Sequence, residues 1–312
     1  MQMIIHQRRD AADGVVGLTL GRTDGGPLPS WTPGAHVDVV LDNGLTRQYS
    51  LCSDPCDDRA WRIGVLREPE SRGGSKYIVD KLHDGDIVEV GEPRNHFELE
   101  GAPGYVFVAG GIGITPLLPM IARAERDGAE WSLLYGGRTR SSMAFVDELA
   151  RYGDRVTIAP QDEVGLLDLA GRLGTPRPDT LVYACGPEPL LDAVADRTSG
   201  WPAGSLRVER FTPRTLEPAG PDGSFEVEFR TSGITATVPA GVSILTVAEQ
   251  AGIAADWSCR EGTCGSCETP LLAGRAEHRD SLLTDEEKDE QNLMMICVSR
   301  AERGCPRLQL GL

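Results

Sequence analysis

The stretch Asp256-Trp257-Ser258-Cys259-Arg260-Glu261-Gly262-Thr263-Cys264-Gly265-Ser266-Cys267 places three cysteines in one short loop, and a fourth, Cys297, stands far downstream. The spacing is C-x4-C-x2-C…C, with glycines at 262 and 265 inside the loop. Eight cysteines occur in 312 residues. The start, Met1 to Arg8, lacks the apolar core of a secretory leader, so a cytoplasmic location is expected. Disulfides are disfavoured there, and clustered cysteines point to metal or redox chemistry. Cys52 and Cys56 have no nearby third ligand and read as structural thiols, and Cys305 reads as an incidental one.

The loop spacing is that of a plant-type [2Fe–2S] site, with Cys259, Cys264, Cys267 and Cys297 as the ligands. Two irons need four thiolates around a small rhomb, so one tight loop must wrap it. Glycines let backbone N–H groups approach the sulfurs, because no Cβ stands in the way. Those N–H groups stabilise the reduced, more negative cluster. A zinc site usually pairs C-x2-4-C knuckles and fits this loop poorly. The five histidines, His6, His36, His83, His96 and His278, form no metal pattern.

Upstream of the loop, Ser243–Ala251 reads as a helix, and the alternating runs 225–230 and 233–239 as a hairpin. Pro213 to Gly223 is rich in Pro and Gly and reads as a linker. Before it, strands alternate with helices. The continuous apolar run Tyr105-Val106-Phe107-Val108-Ala109 suits a strand buried on both faces. Helix 117–126, strand 131–135, helix 144–151, strand 155–159, strand 180–184 and helix 187–196 follow, the pattern of a doubly wound parallel sheet. The first hundred residues are different. Short runs at 15–20, 36–41, 47–52, 61–66 and 86–90 are separated by turns such as Asp42-Asn43-Gly44, with one helix near 74–81. Closely spaced strands with an Asn-Gly hairpin suggest a small barrel.

Two glycine motifs occupy strand ends in the α/β segment. Gly110-Gly111-Ile112-Gly113-Ile114-Thr115-Pro116 follows a buried strand and opens a helix, a context that suits a pyrophosphate. It departs from G-x-G-x-x-G, since Pro116 takes the last glycine position. Cys185-Gly186-Pro187 likewise ends a strand and opens a helix. Ligands bind at the carboxyl ends of such strands, so both motifs line one edge. Arg138, in Tyr135-Gly136-Gly137-Arg138, can pair with a phosphate bidentately. Asp162 and Glu163 follow another strand; a carboxylate there accepts from a ribose hydroxyl and repels a 2′-phosphate, which favours NADH over NADPH.

In the barrel, Arg47-Gln48-Tyr49-Ser50 alternates, so Arg47 and Tyr49 share one face while Gln48 and Ser50 share the other. Arg72-Gly73-Gly74-Ser75, preceded by Ser71, turns into a helix and offers N–H groups and a hydroxyl to a phosphate.

With these motifs in this order, the chain resembles the phthalate dioxygenase reductase family, within the ferredoxin–NADP reductase superfamily, over nearly its whole length. The resemblance implies a multidomain fold. A flavin-binding β-barrel spans 1–100, and an α/β doubly wound parallel-sheet NAD(P) domain spans 101–212. A linker follows at 213–223, then an α+β (β-grasp) plant-type ferredoxin domain at 224–312. It implies FMN rather than FAD, held at one phosphate by Arg47, Gly73, Gly74 and Ser75 and walled by Tyr49. Ser50 is expected near flavin N5, which requires a bend or bulge after Tyr49. Cys185 is expected beside the nicotinamide, with Gly110, Gly111, Gly113, Thr115, Pro116, Gly186 and Pro187 also on the nucleotide. Phe211 either contacts the flavin or closes the domain core. Ser50 and Cys185 are the candidate catalytic residues, although hydride transfer to a flavin needs no acid–base triad. Electrons would pass from NADH through FMN and the cluster to a terminal oxygenase. A Rieske non-haem iron enzyme is expected first and a haem-thiolate monooxygenase second.

The formal net charge of −16 argues against nucleic acid or an anionic membrane as partner and permits docking on a basic protein surface. No apolar run approaches the ~20 residues of a membrane span. No coiled-coil pattern is present, so a monomer is expected. A flavin-only oxidoreductase and a ferredoxin-like carrier are the competing readings.

Overall fold

Turn residues set the first structural segment. Asn43-Gly44, with Gly44 at φ +78, folds two strands onto each other with Val40 opposite Thr46. In a computed structural model that describes residues 1–70, 72–214 and 220–312, these are two of six strands. The six are β1 (Gln2–Ala12), β2 (Val15–Arg22), β3 (His36–Val40), β4 (Thr46–Ser50), β5 (Trp61–Leu66) and β6 (Ile87–Val90), with helix α1 (Gly74–Lys81) before the last. Their order is β4-β3-β6-β1-β2-β5, and every pairing is antiparallel. A bridge between Leu51 and Ile63 joins the two edges and closes the barrel. Met3, Ile5, Val37, Val39, Trp61 and Ile63 fill it, with Ile78 of α1 packed into the same core. The sequence reading missed β1. Register shifts between Ile5 and Gln7 and between Asp10 and Ala12 interrupt its alternation, so no period of two persists.

The second segment contains β7 (Gly104–Gly110), α2 (Ile114–Arg126), β8 (Glu130–Gly137), α3 (Val146–Leu149) and β9 (Val156–Pro160). It continues with α4 (Gln161–Val164), α5 (Leu169–Leu173), β10 (Thr180–Cys185), α6 (Glu188–Thr198) and β11 (Leu206–Glu209). All strands are parallel, in the order β11-β10-β7-β8-β9. Alternate residues of β7 serve two cores. Tyr105, Phe107 and Ala109 pack with Leu117, Met120 and Ile121 of α2. Val106 and Val108 pack with Leu173 of α5 and with Leu191 and Val194 of α6. Helices on both faces make the sheet doubly wound. The helix expected at 144–151 is shortened to α3, which runs into a 3-10 segment that Gly153 breaks at φ 58, ψ −132. Barrel and sheet belong to one compact unit, Met1–Glu209.

The other unit, Arg210–Leu312, contains β12 (Phe225–Phe229), β13 (Ile234–Val238), α7 (Ile244–Gln250), β14 (Glu268–Ala273) and β15 (Ala276–Glu277). After these come α8 (Asp285–Glu290), β16 (Leu293–Met295), β17 (Arg300–Ala301) and β18 (Arg307–Leu310). The sheet order is β13-β12-β18-β14-β16, with β12 and β18 parallel at its centre. Ile244, Leu245 and Ala248 of α7 pack on Val227, Phe229, Leu308 and Leu310. This is an α+β grasp of one helix by a mixed sheet. Ser71 and residues 215–219 of the expected linker lie outside the described residues.

Candidate cluster and nucleotide sites

Helix α7, capped by Ser243 accepting from the Thr246 N–H, leads the chain into the cysteine loop. Gly262 and Gly265 take φ +73 and +74 there, values that glycine adopts without strain. The loop is tied back to α7 by Arg260, which pairs with Glu249 and stacks 3.7 Å from the Trp257 ring centre. Cys264, Cys267 and Cys297 are buried and Cys259 is partly exposed. Cys297 follows β16, and the Ile296 N–H donates to the Cys267 carbonyl at 3.4 Å, which brings the distant fourth cysteine to the loop. Backbone N–H groups already face sulfur: Glu261 donates to Cys259 Sγ at 3.3 Å and Cys259 to Cys264 Sγ at 3.4 Å.

The four sulfurs crowd one another. Hydrogen bonds from Cys264 and Cys297 hold the Cys259 thiol far below its usual range, and the same contacts push Cys264 and Cys297 far above theirs. Cys267 is lowered, chiefly by Cys297. All four can be thiolates together only with cations among them, which is what iron ligation supplies. Among the described residues no three His, Cys, Asp or Glu side chains converge as ligands of a single ion. A two-iron rhomb asks for two thiolates at each iron instead. The donor set therefore fits a [2Fe–2S] cluster.

The parallel sheet reverses its winding between β7 and β10, and the crevice outside their carboxyl ends is where such sheets bind ligands. Both glycine motifs lie there. Cys185 pairs with Ala109 in register. A Cβ on Gly113 would stand 2.3 Å from the Cys185 carbonyl oxygen, and one on Gly186 would stand 2.9 Å from Gly110 Cα. Only glycine permits this approach. Gly111 has φ +55. Thr115 is buried, and its hydroxyl donates to the Ile112 carbonyl at 2.9 Å. Its methyl faces Gly64 of the barrel, so Thr115 locks the turn and the joint. Pro116 is buried in the first turn of α2, and Pro187 caps α6.

Cys185 is 1% exposed. Burial, then the neighbouring Glu209 carboxylate, pushes its thiol up. Glu209 ends β11 with its carboxyl 3.9 Å from Cys185 Sγ. Burial of that carboxyl pushes it up to about 8. No sequence motif gives Glu209 a role; only the β10–β11 register brings it opposite Cys185. At the next strand ends, Arg138 and Asp162 are exposed. Glu163 is already held by Arg140 at 2.7 Å, which leaves Asp162 as the acidic group free of an ion pair among the described residues.

On the barrel, α1 opens at Gly73 (φ 100) without a side-chain cap. A Cβ on Gly74 would stand 2.6 Å from Arg47 Cγ and 2.8 Å from its Nε, so the arginine lies directly against the helix start. Ser75 Oγ accepts from the Glu68 N–H at 3.2 Å and keeps its own proton to donate. Cation, hydroxyl and helix N-terminus form a cradle for one phosphate. Tyr49 packs against the barrel core, and burial pushes its phenol up. The β3–β4 ladder runs from Thr46 to Ser50 with no register shift, so the expected bulge is absent; the chain turns after Ser50, where Leu51 crosses to Ile63. Ser50 Oγ is buried and unpartnered among the described residues, an orphaned donor of the kind a flavin ring nitrogen would satisfy. Phe211 is 44% exposed, so it closes no core.

Two family models match this chain: an oxidoreductase NAD-binding domain over residues 107–196 and a 2Fe-2S iron-sulfur cluster binding domain over residues 227–302. Phenoxybenzoate dioxygenase subunit beta of Ectopseudomonas oleovorans is 41% identical over 95% of this chain and 92% of its own length. The solved phthalate dioxygenase reductase, described as a modular structure for electron transfer from pyridine nucleotides to [2Fe–2S], is 37% identical. It superposes with a TM-score of 0.73 over 100% of this chain and 98% of its own. The chain belongs to the phthalate dioxygenase reductase family. It is thus an oxidoreductase whose cofactors include NAD(H) and a [2Fe–2S] cluster. An intact type IV self-sufficient cytochrome P450 monooxygenase is 43% identical with a TM-score of 0.93; this chain is covered completely and spans 41% of that longer protein. Among the described residues no helix is long and apolar enough to cross a membrane.

Proposed function

We propose that this chain is the NADH-oxidising reductase of a Rieske-type oxygenase system, with FMN between NADH and the cluster. The observation that carries the FMN reading is the single phosphate cradle of Arg47, Gly74 and Ser75. The flavin supplies the step between a two-electron hydride donor and a one-electron acceptor. Arg47, the start of α1 and Ser75 bind the phosphate end, Tyr49 walls the ring and Ser50 donates to it. Gly110, Gly111, Gly113, Gly186 and Pro187 let the dinucleotide approach the sheet edge. Cys185 and Glu209 border the nicotinamide position and keep water from it. A protonated Glu209 adds no charge beside a ring that becomes cationic on hydride loss. Asp162 reads the ribose hydroxyl, and Arg138 pairs with a phosphate. The division at 1–100, 101–212, 213–223 and 224–312 and the cytoplasmic location are part of this reading.

Dioxygenase names among the relatives support the Rieske partner. The similarity to a self-sufficient cytochrome P450 monooxygenase favours a haem-thiolate acceptor as the second reading. Acid-extracted flavin is expected to run with FMN, alongside two irons and two sulfides per chain, and NADH is expected to bleach both chromophores. A partner pull-down that recovers a haem protein rather than a non-haem iron oxygenase would select the second reading. FAD in the extract would refute the single cradle.

A further inference from the structure

A buried polar pair lies behind the cysteine loop. Asp280 is completely buried and His278 nearly so, with His278 Nδ1 3.8 Å from Asp280 Oδ2. Asp280 Oδ1 accepts from the Leu282 and Leu283 N–H groups at 3.1 and 2.8 Å. Its Oδ2, and both ring nitrogens of His278, have no hydrogen-bond partner among the described residues. The segment touches the loop directly. The Ser281 N–H donates to the Gly262 carbonyl at 2.9 Å, and a Cβ on Gly262 would stand 3.0 Å from Asp280 Cα. Lys288 Nζ reaches the Asp280 carbonyl at 3.5 Å.

The turn at 280–283 needs one acceptor oxygen, and asparagine would supply it as well as aspartate. The second oxygen is therefore surplus to the turn, and a buried charge without full hydrogen bonding is costly. What aspartate adds is negative charge, packed against Gly262 of the cysteine loop in a medium of low effective dielectric. We propose that the Asp280 carboxylate is a positioning residue that sets the redox balance of the [2Fe–2S] site, opposing the added electron and holding its potential down. This rests on the cluster reading. Burial opposes ionisation of Asp280, but the His278 ring 3.8 Å away, the Leu282 and Leu283 N–H groups and the Lys288 ammonium outweigh it and draw the carboxyl below its ordinary range.

Asp280→Asn in the holoprotein tests it by potentiometric titration of the cluster absorbance. The expected result is two irons per chain with electron sharing between flavin and cluster shifted about tenfold towards the cluster, which is about 59 mV for one electron. Asp280→Ser, which retains a turn-forming hydroxyl, is expected to move the potential the same way if the asparagine variant assembles poorly. A purely structural role would lower iron content and leave the potential of assembled clusters where it was. That outcome in either variant overturns the proposal. Absence of iron from the unmutated chain would instead refute the cluster reading itself.

Discussion

Gly113→Ala isolates the requirement for close approach at the nucleotide crevice. Gly113 has φ −62 and ψ −4, so alanine fits the backbone without strain. As the N-cap of α2 the position gains no helix propensity from alanine. The added Cβ, however, would stand 2.3, 2.5 and 2.7 Å from Cys185 O, Cys185 C and Gly186 N, all backbone atoms. Carbon atoms settle near 3.5 Å, so β7 and β10 must part by roughly 1 Å at their carboxyl ends. Overpacking of this size costs ~1–3 kcal/mol. A melting temperature only a few degrees lower follows. The displacement falls at Cys185, which the proposed function sets beside the nicotinamide, where a misplacement of ~1 Å costs ~100-fold in rate. Anaerobic stopped-flow reduction of the bound flavin by NADH measures it, with flavin and iron content as controls. Flavin reduction within threefold of wild type, at unchanged NADH affinity, would show that the two motifs do not share one crevice.

Three other outcomes follow from the same geometry. Cys297→Ser is expected to lose most of its iron and its cytochrome c reduction while NADH still bleaches the flavin; Cys305→Ser, outside the ligand set, keeps two irons by chemical analysis. Glu209 is raised to about 8 by burial, against an unfolded value near 4.3. The folded state therefore holds the extra proton between those values. Its stabilising contribution is complete below pH ~4.3 and is lost as pH rises towards about 8. Melting temperatures at pH 5 and 8.5 should differ less in Glu209→Gln than in wild type; an equal difference would place the carboxyl in water. Asp162→Ala is expected to reduce the NADH-over-NADPH preference in kcat/KM about tenfold, and an unaltered ratio would assign ribose reading elsewhere.

Periodicity made most of the architecture legible. β5 and α1 are found at 61–66 and 74–81, as read from the sequence, because apolar alternation and the Gly-Gly turn are local signals. The cysteine spacing is an equally local signal, and the 2Fe-2S family model covers it at residues 227–302. What escaped was non-local or irregular. β1 hides behind two bulges. β11 is half-buried along its length and lacks the continuous apolar run of β7, so Glu209 could not be placed beside Cys185. The joint between barrel and sheet was invisible for the same reason. Besides Thr115 against Gly64 it includes Arg62 paired with Glu148 and lying 4.9 Å over Phe145, residues that no motif connects. Phe145 holds φ 63, which a bulky side chain rarely adopts and which the sequence does not announce.

Three glycines with unlike neighbours do one physical job, and that explains how separate segments meet in this chain. Gly74 admits the Arg47 side chain, Gly113 admits the end of β10, and Gly262 admits the segment carrying Asp280. In each case the visitor comes from elsewhere in the chain, and in each a Cβ would stand at or inside 3.0 Å of it. Only Gly262 has positive φ among the three, so conformational freedom does not explain the other two. Their value is the missing volume. A glycine kept for its φ tolerates asparagine or aspartate in part, because those residues visit the left-handed region. One kept for missing volume tolerates nothing larger, whatever its backbone angles. Gly74 and Gly113 should therefore reject alanine and asparagine alike, with phosphate-end flavin binding lost at the first and nicotinamide alignment at the second. Gly44, at φ +78 with open space around it, should accept asparagine with little loss of stability.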